Sequence, residues 1–179
     1  MIDRDWLAVL ALPTVAICAP AFAVDYLTVE QAQKVLFAQA DNFVDKSVTL
    51  TDAQRDRIKQ LSGMRQRWDK QKVWRAEKNG QPLGWFIVDD VVGKHEFITY
   101  GAALSTDGHV LGIEIMSYRE THGGQIINAE WRANFVGKTL QSPFKLDEDI
   151  PNISGATLSC RNVTDGVKRL LALQQVALN

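Results

Sequence analysis

Asn79-Gly80 lies between two stretches of alternating character, residues 72–77 and 83–88. Both central residues tolerate positive φ, which a two-residue turn needs if it is to match the twist of the strands it joins. The dipeptide therefore predicts an antiparallel pair. A second pair follows directly: residues 97–104 and 109–117 are joined through Thr106-Asp107-Gly108. Two successive hairpins make an antiparallel sheet the frame of the chain. Residues 109–117 contain Val110, Leu111, Ile113, Ile115 and Met116, an apolar run expected at the centre of that sheet.

Helices are predicted on either side of this block. Thr28 with Gln31, and Thr51 with Gln54, have the spacing of capping boxes. The first predicts a helix to about Gln39 with Val29, Ala32, Val35 and Leu36 facing inward. The second predicts a helix to Leu61 or Ser62 that stops at Gly63. Residues 43–50 between them read as one strand. Beyond the hairpins, a short helix is expected from Ile127 to Phe135 with a turn at Gly137. Pro143 and Pro151 then bracket a polar, acidic loop. A final helix is expected from Cys160 to Ala177, where Val163, Val167, Leu170 and Leu171 fall at i, i+4, i+7 and i+8 and form one apolar stripe. The fold class is α+β: a twisted, mostly antiparallel sheet with packed helices in a single domain.

Residues 7–23 carry no charged side chain and end in Ala21-Phe22-Ala23, the small-x-small pattern of a signal-peptidase site. Pro13 and Pro20 interrupt the run, which argues against a spanning helix of about 20 apolar residues. Because Asp3 and Asp5 flank Arg4, the leader lacks a clearly basic start, and an uncleaved anchor remains the alternative. The division is then 1–23 as signal peptide or anchor, 24–70 as an N-terminal helix and strand segment, and 71–179 as the main domain. The expected location is periplasmic. Cys18 follows Ile17, too large a residue for an ordinary lipoprotein site. After cleavage one cysteine remains, Cys160, which is expected as a small buried residue.

The formal net charge of −1 argues against nucleic acid as a partner, because phosphate binding needs a basic surface. His95, His109 and His122 are scattered, and no cysteine spacing suits zinc, haem or an iron–sulfur cluster. Redox chemistry in this chain would use an organic cofactor. Ser154-Gly155-Ala156-Thr157-Leu158-Ser159 precedes the last helix. Small residues there allow a close backbone approach, and a helix N-terminus favours a phosphate. Taken alone, the segment is also an ordinary helix entry with Ser159 as N-cap.

Three segments occur in one order: Glu120-Thr121-His122-Gly123-Gly124, then Trp131 to Lys138 as W-x-x-x-F-x-G-K, then Ser154 to Ser159 as [S/T]-G-A-T-x-[S/T]. In these the chain resembles the FMN-binding domain of Rnf and Nqr electron-transport subunits and of small exported flavoproteins, over about residues 70 to 175. The resemblance implies FMN joined to Thr157 by a phosphoester that a dedicated flavin transferase installs. It implies that Ser154, Gly155 and Ala156 shape the phosphate turn. It places Glu120, Thr121, Gly123 and Gly124 beside the ribityl chain or the flavin ring. Lys138 is then either a phosphate partner or a surface lysine closing the Gly137 turn, and Trp131 is a core residue. His122 stands where the Rnf-type loop has proline, either near the flavin or simply exposed. The acid that usually precedes the motif by three residues is replaced by Pro151-Asn152, with Asp149 nearest. The implied function is electron transfer between a membrane or periplasmic pair of redox partners, without acid–base catalytic residues. The alternatives are an accessory flavin module of a periplasmic reductase and a flavin-free sensory or structural module.

Overall fold

A computed structural model describes residues 24–178. The proposed leader, with Cys18, lies outside the described residues. The strands are β1 Val24–Asp25, β2 Asn42–Asp45, β3 Val48–Thr49, β4 Lys70–Lys78, β5 Gln81–Val92, β6 Phe97–Ser105 and β7 Val110–Tyr118. The helices are α1 Val29–Leu36, α2 Asp52–Ser62, α3 Ala129–Ala133 and α4 Thr157–Ala177, with a 3-10 turn at Gly124–Ile127. Six strands run in the order β1-β7-β6-β5-β4-β2, and β3 also pairs with β4. Every strand pairing is antiparallel. This is the α+β architecture expected from the hairpins. The Asn79-Gly80 turn has φ of 51° and 76°, both in the left-handed region.

Both capping boxes form, with Gln31 and Gln54 returning the hydrogen bond to the N-cap backbone. α2 stops at Gly63, whose φ of 77° closes the helix in the left-handed conformation. α1 ends earlier than expected, at Leu36, and its inward stripe is Val29, Ala32, Gln33 and Leu36. That set has the i, i+3, i+4, i+7 spacing of one helix face. Val35 lies off that face and is exposed.

The strand expected over 43–50 is broken. Asp45 accepts a hydrogen bond from the Ser47 N–H at 2.8 Å, a local turn that separates β2 from β3. β7 is also not central. It lies one place from the edge and is flanked by the two-residue β1, while β5 and β6 occupy the middle. Its apolar character comes from cover on both faces, with α1 on one and α3 with the 3-10 turn on the other. Leu111 escapes that cover and is exposed.

The sheet separates two cores. On the α1 side, Ala32 and Phe37 pack on Ala76, Phe86, Val88, Ala103 and Met116. On the other side α2, α3 and α4 cover Val73, Ile87, Ile98, Tyr100, Ile113 and Ile115. Val163, Val167, Leu170 and Leu171 of α4 are all buried there, as the stripe predicted. Cys160 is free and buried in the same core. Trp131 is buried, stacked edge-on to Phe135 at 5.1 Å, with its Nε1–H donating to Pro151 O at 2.8 Å. It is a core residue whose one polar atom is satisfied.

β5 continues beyond Val88 through Asp89 and Asp90 to Val92. Two consecutive acids argue for an earlier strand end, yet each has a partner. Asp90 accepts from Thr99 Oγ1 at 2.5 Å. Asp89 accepts from Tyr100 Oη at 2.9 Å and pairs with Arg169 of α4. Tyr100, Asp89 and Arg169 are all buried, so this cluster joins the sheet to the last helix from inside the core.

Candidate functional site

α4 begins at Thr157 rather than Cys160, with Ala156 at the N-cap and no side-chain cap. Ser159 is therefore inside the first turn and buried, not the capping residue. The extra turn follows from the backbone before it. Gly155 adopts φ of 81°, and the Ala156 N–H donates to Ile153 O at 2.9 Å, a tight reversal that aims the chain into the helix. The first helical carbonyl bond is Cys160 N–H to Ala156 O at 2.9 Å. The N–H groups of Thr157, Leu158 and Ser159 are the orphan donors of the helix start, where the macrodipole is positive. Among the described residues the Thr157 hydroxyl has no hydrogen-bond partner, and its side chain is only partly buried.

This helix start forms one wall of a cleft of about 560 Å³. Gly155, Ala156, Thr157, Leu158 and Ser159 line that wall, and Glu120, Thr121 and His122 face it from the loop after β7. The β5–β6 turn completes the rim with Lys94 and His95. Of the residues singled out in the sequence, Thr157, Gly155, Ala156, Glu120 and Thr121 meet at the cleft. Ser154, Gly123 and Gly124 do not line it. Gly123 instead supports it from behind. It has φ of 83°, and a Cβ there would lie 2.1 Å from Ala156 Cβ, so only glycine lets the loop pack on the helix start. Tyr118 holds the same loop through a hydrogen bond from its hydroxyl to His122 O.

Glu120 turns its carboxylate to the backbone of the neighbouring turn. Oε1 accepts from the His95 N–H at 2.6 Å and the Glu96 N–H at 3.0 Å. Partial burial works against ionisation, but these amides and that of Lys94 outweigh it and hold the carboxyl below its ordinary 4.5. Glu120 thus fixes the turn that carries Lys94 and His95. A carboxyl with a lowered folded pKa gives its full support above the ordinary value and loses it as pH falls through the folded value. We expect the His95 and Glu96 amide resonances to move together below pH 4.5. Glu120→Gln should abolish that titration, and a titration surviving in the variant would assign it to another group.

Lys138 does not line the cleft. Its Nζ pairs with Asp149 Oδ2 at 2.6 Å, with both side chains largely covered. It is neither a simple surface lysine nor a group on the cleft wall. Asp149 also accepts from the Phe144 and Lys145 N–H groups at 3.2 and 2.7 Å, so the acid nearest the motif is committed to its own loop. Lys94 and His95 were not anticipated as neighbours of Thr157. No motif marks them, and hairpin closure between β5 and β6 brings them to the site.

The family model for the FMN-binding domain matches residues 93–172, from the β5–β6 turn through most of α4. The chain contains an FMN-binding domain. Both sides of the cleft fall inside that domain, together with Thr157 and the Glu120 loop. The chain is 28% identical over 115 residues to the RnfG subunit of the ion-translocating oxidoreductase complex of Stutzerimonas stutzeri, an alignment covering 58% of this chain and 50% of that protein. It thus spans about half the length of the curated relative it matches. Among solved structures, NqrC of Shewanella oneidensis is similar at 15% identity and a TM-score of 0.49, over 79% of this chain and 73% of that one. The NqrC subunit of the Na(+)-translocating NADH-quinone reductase from Parabacteroides distasonis is similar at 13% identity and a TM-score of 0.49, over 74% and 77%.

Proposed function

We propose that this FMN-binding domain carries its flavin covalently, as a phosphoester on Thr157, and passes electrons between redox partners of a membrane oxidoreductase of the Rnf or Nqr kind. The observation that carries the reading is Thr157 itself: the first residue of α4, unpartnered through its hydroxyl, on the wall of the cleft. The residues present suit such a group. The N–H groups of the first turn and the positive end of α4 favour a phosphate, and on the rim Lys94 adds a cationic donor and His95 an imidazole. Leu158, nearly half exposed on the same wall, offers an apolar surface to an aromatic ring.

Bound FMN supplies the redox chemistry, and the protein supplies attachment, orientation and electrostatics. Ser154, Gly155 and Ala156 form the turn that exposes Thr157. Glu120 and Thr121 form the facing wall, Gly123 is the backbone that lets that wall approach, and Gly124 follows it at the start of the 3-10 turn. A covalent bond suits a carrier outside the cytoplasm, because a flavin that dissociates there is lost by dilution. It also removes the need for a deep pocket, so one edge of the ring can stay open to a partner. Among the described residues no helix is long and apolar enough to cross a membrane. Residues 1–23 are proposed as the export signal or anchor that places the domain on the periplasmic side, followed by the 24–70 segment and the 71–179 flavin domain.

The test is the intact mass of the exported protein made with a flavin transferase present. The expected result is a polypeptide heavier by one FMN less one water, yellow after denaturation. A mass equal to the amino acids alone would refute covalent attachment.

A further inference from the structure

The end of the sheet that carries the cleft also carries an exposed aromatic pair. Trp68 and Phe97 are 37% and 48% exposed, with ring centroids 6.2 Å apart. Trp68 Nε1–H donates to Asp90 O at 3.4 Å, so its polar atom has a partner in the protein. Arg65 and Arg67 precede it, are exposed, and make no ion pair among the described residues. Of the acids around Arg65 and Arg67, Asp52 and Asp69 pair with Arg55, Asp90 accepts from Thr99 and Asp165 faces Arg161 and Lys168, which leaves Asp56 as the exposed acid beside them. Glu96 is the exposed acid nearest Phe97 in the chain. The patch is apolar with a cationic margin on a chain whose net charge is −1.

A second observation says what covers it. β1 pairs Val24 with Tyr118, and Tyr118 pairs with Ile98, the residue after Phe97. The chain therefore joins the sheet two strands from Phe97, about 10 Å away at roughly 4.8 Å per strand spacing. Residues 7–23, directly before this entry point, carry no charged side chain. If residues 1–23 are kept as the anchor proposed above, that apolar segment holds this end of the sheet close to the membrane. Aromatic rings with a satisfied polar atom favour the boundary between acyl chains and headgroups, and arginines are drawn to anionic headgroups.

We propose that this end of the sheet rests on an anionic phospholipid surface, with Trp68 and Phe97 at the acyl–headgroup boundary and Arg65 and Arg67 among the headgroups. None of these four residues lines the cleft, so the inference stands apart from flavin attachment. The test uses the full protein as recovered from its host. Its tryptophan emission is measured with vesicles of phosphatidylcholine and phosphatidylglycerol whose acyl chains are brominated, against the same vesicles without bromine. We expect bromine to quench part of the emission and Trp68→Phe to remove that part. The difference between the two proteins isolates Trp68 from the other tryptophans, whatever the state of the N-terminus. Replacing Arg65 and Arg67 by serine should lose most of the Trp68 quenching, as should vesicles of phosphatidylcholine alone. Thr157→Val protein should behave as the wild type, which keeps this test separate from the flavin test. Equal quenching in wild type and Trp68→Phe would overturn the proposal. So would quenching of Trp68 that does not depend on the anionic lipid or on the arginines. A patch that binds only an acidic protein would show no quenching and would also overturn it.

Discussion

Thr157→Val will fold normally and carry no covalently bound flavin, whereas Thr157→Ser will keep it. Valine preserves the β-branched shape and has a helix propensity close to that of threonine, so the first turn of α4 is undisturbed. The threonine hydroxyl has no partner among the described residues, so its loss breaks no hydrogen bond of the fold. A stability change within about 0.5 kcal/mol is expected, as for a surface site with no special contact. The effect on the flavin should be complete, because a phosphoester needs an oxygen at that position. Serine restores the oxygen, and rescue by serine separates attachment chemistry from packing. In-gel fluorescence after denaturation, read beside the urea midpoint, gives both quantities. Retained fluorescence in the valine variant would place the attachment elsewhere.

Arg169→Met should cost about 3–5 kcal/mol at neutral pH, the usual cost of removing one partner of a buried ion pair. Asp89 and Arg169 are 2% and 5% exposed, and their partners lie on different elements, β5 and α4. Burial already pushes the Asp89 carboxyl up, against the pull of Arg169 and the Tyr100 hydrogen bond. Burial also opposes the charge on Arg169, but Asp89 outweighs it and raises the guanidinium pKa. Without the arginine, the Asp89 pKa rises further. A carboxyl raised in the folded state costs stability above its folded pKa, and the cost fades as pH falls toward the unfolded value of about 3.9. The deficit should therefore shrink between pH 7 and pH 5, and Asp89→Asn in the same background should recover much of it. Urea unfolding of the single and double variants at both pH values measures this. A deficit independent of pH would show that lost packing, not the stranded charge, is responsible.

Much of the frame was legible because its signals are local. Asn79-Gly80 and Gly63 need positive φ, and the two capping boxes satisfy their own backbone within one turn. The stripe on α4 has a helical period and needs no partner to be seen. The segment Ser154 to Ser159 was legible as a helix entry for the same reason, since small residues and a hydroxyl precede the last stripe, although the helix starts at Thr157 rather than Cys160. Some departures were local, as at the Asp45–Ser47 turn, but the larger ones came from a distant residue or layer. β5 runs through Asp89 because Arg169, 80 positions later, receives the charge. β7 is apolar because two layers cover it, not because it is central. Lys138 was misplaced because Asp149 captures it across a loop.

By itself the sequence determined the hairpins, the capped helices and the presence of a hydroxyl beside small residues at the mouth of the last helix, because each depends on dihedral preferences and groups within a few bonds. Only the tertiary structure decided which surfaces meet. It set Lys94 and His95 beside the start of α4, turned Glu120 toward the amides of the facing turn, and seated Gly123 on Ala156. Those contacts join residues far apart in the chain. Their free energy comes from burial and pairing that exist only once the sheet has closed, so no local pattern can encode them alone.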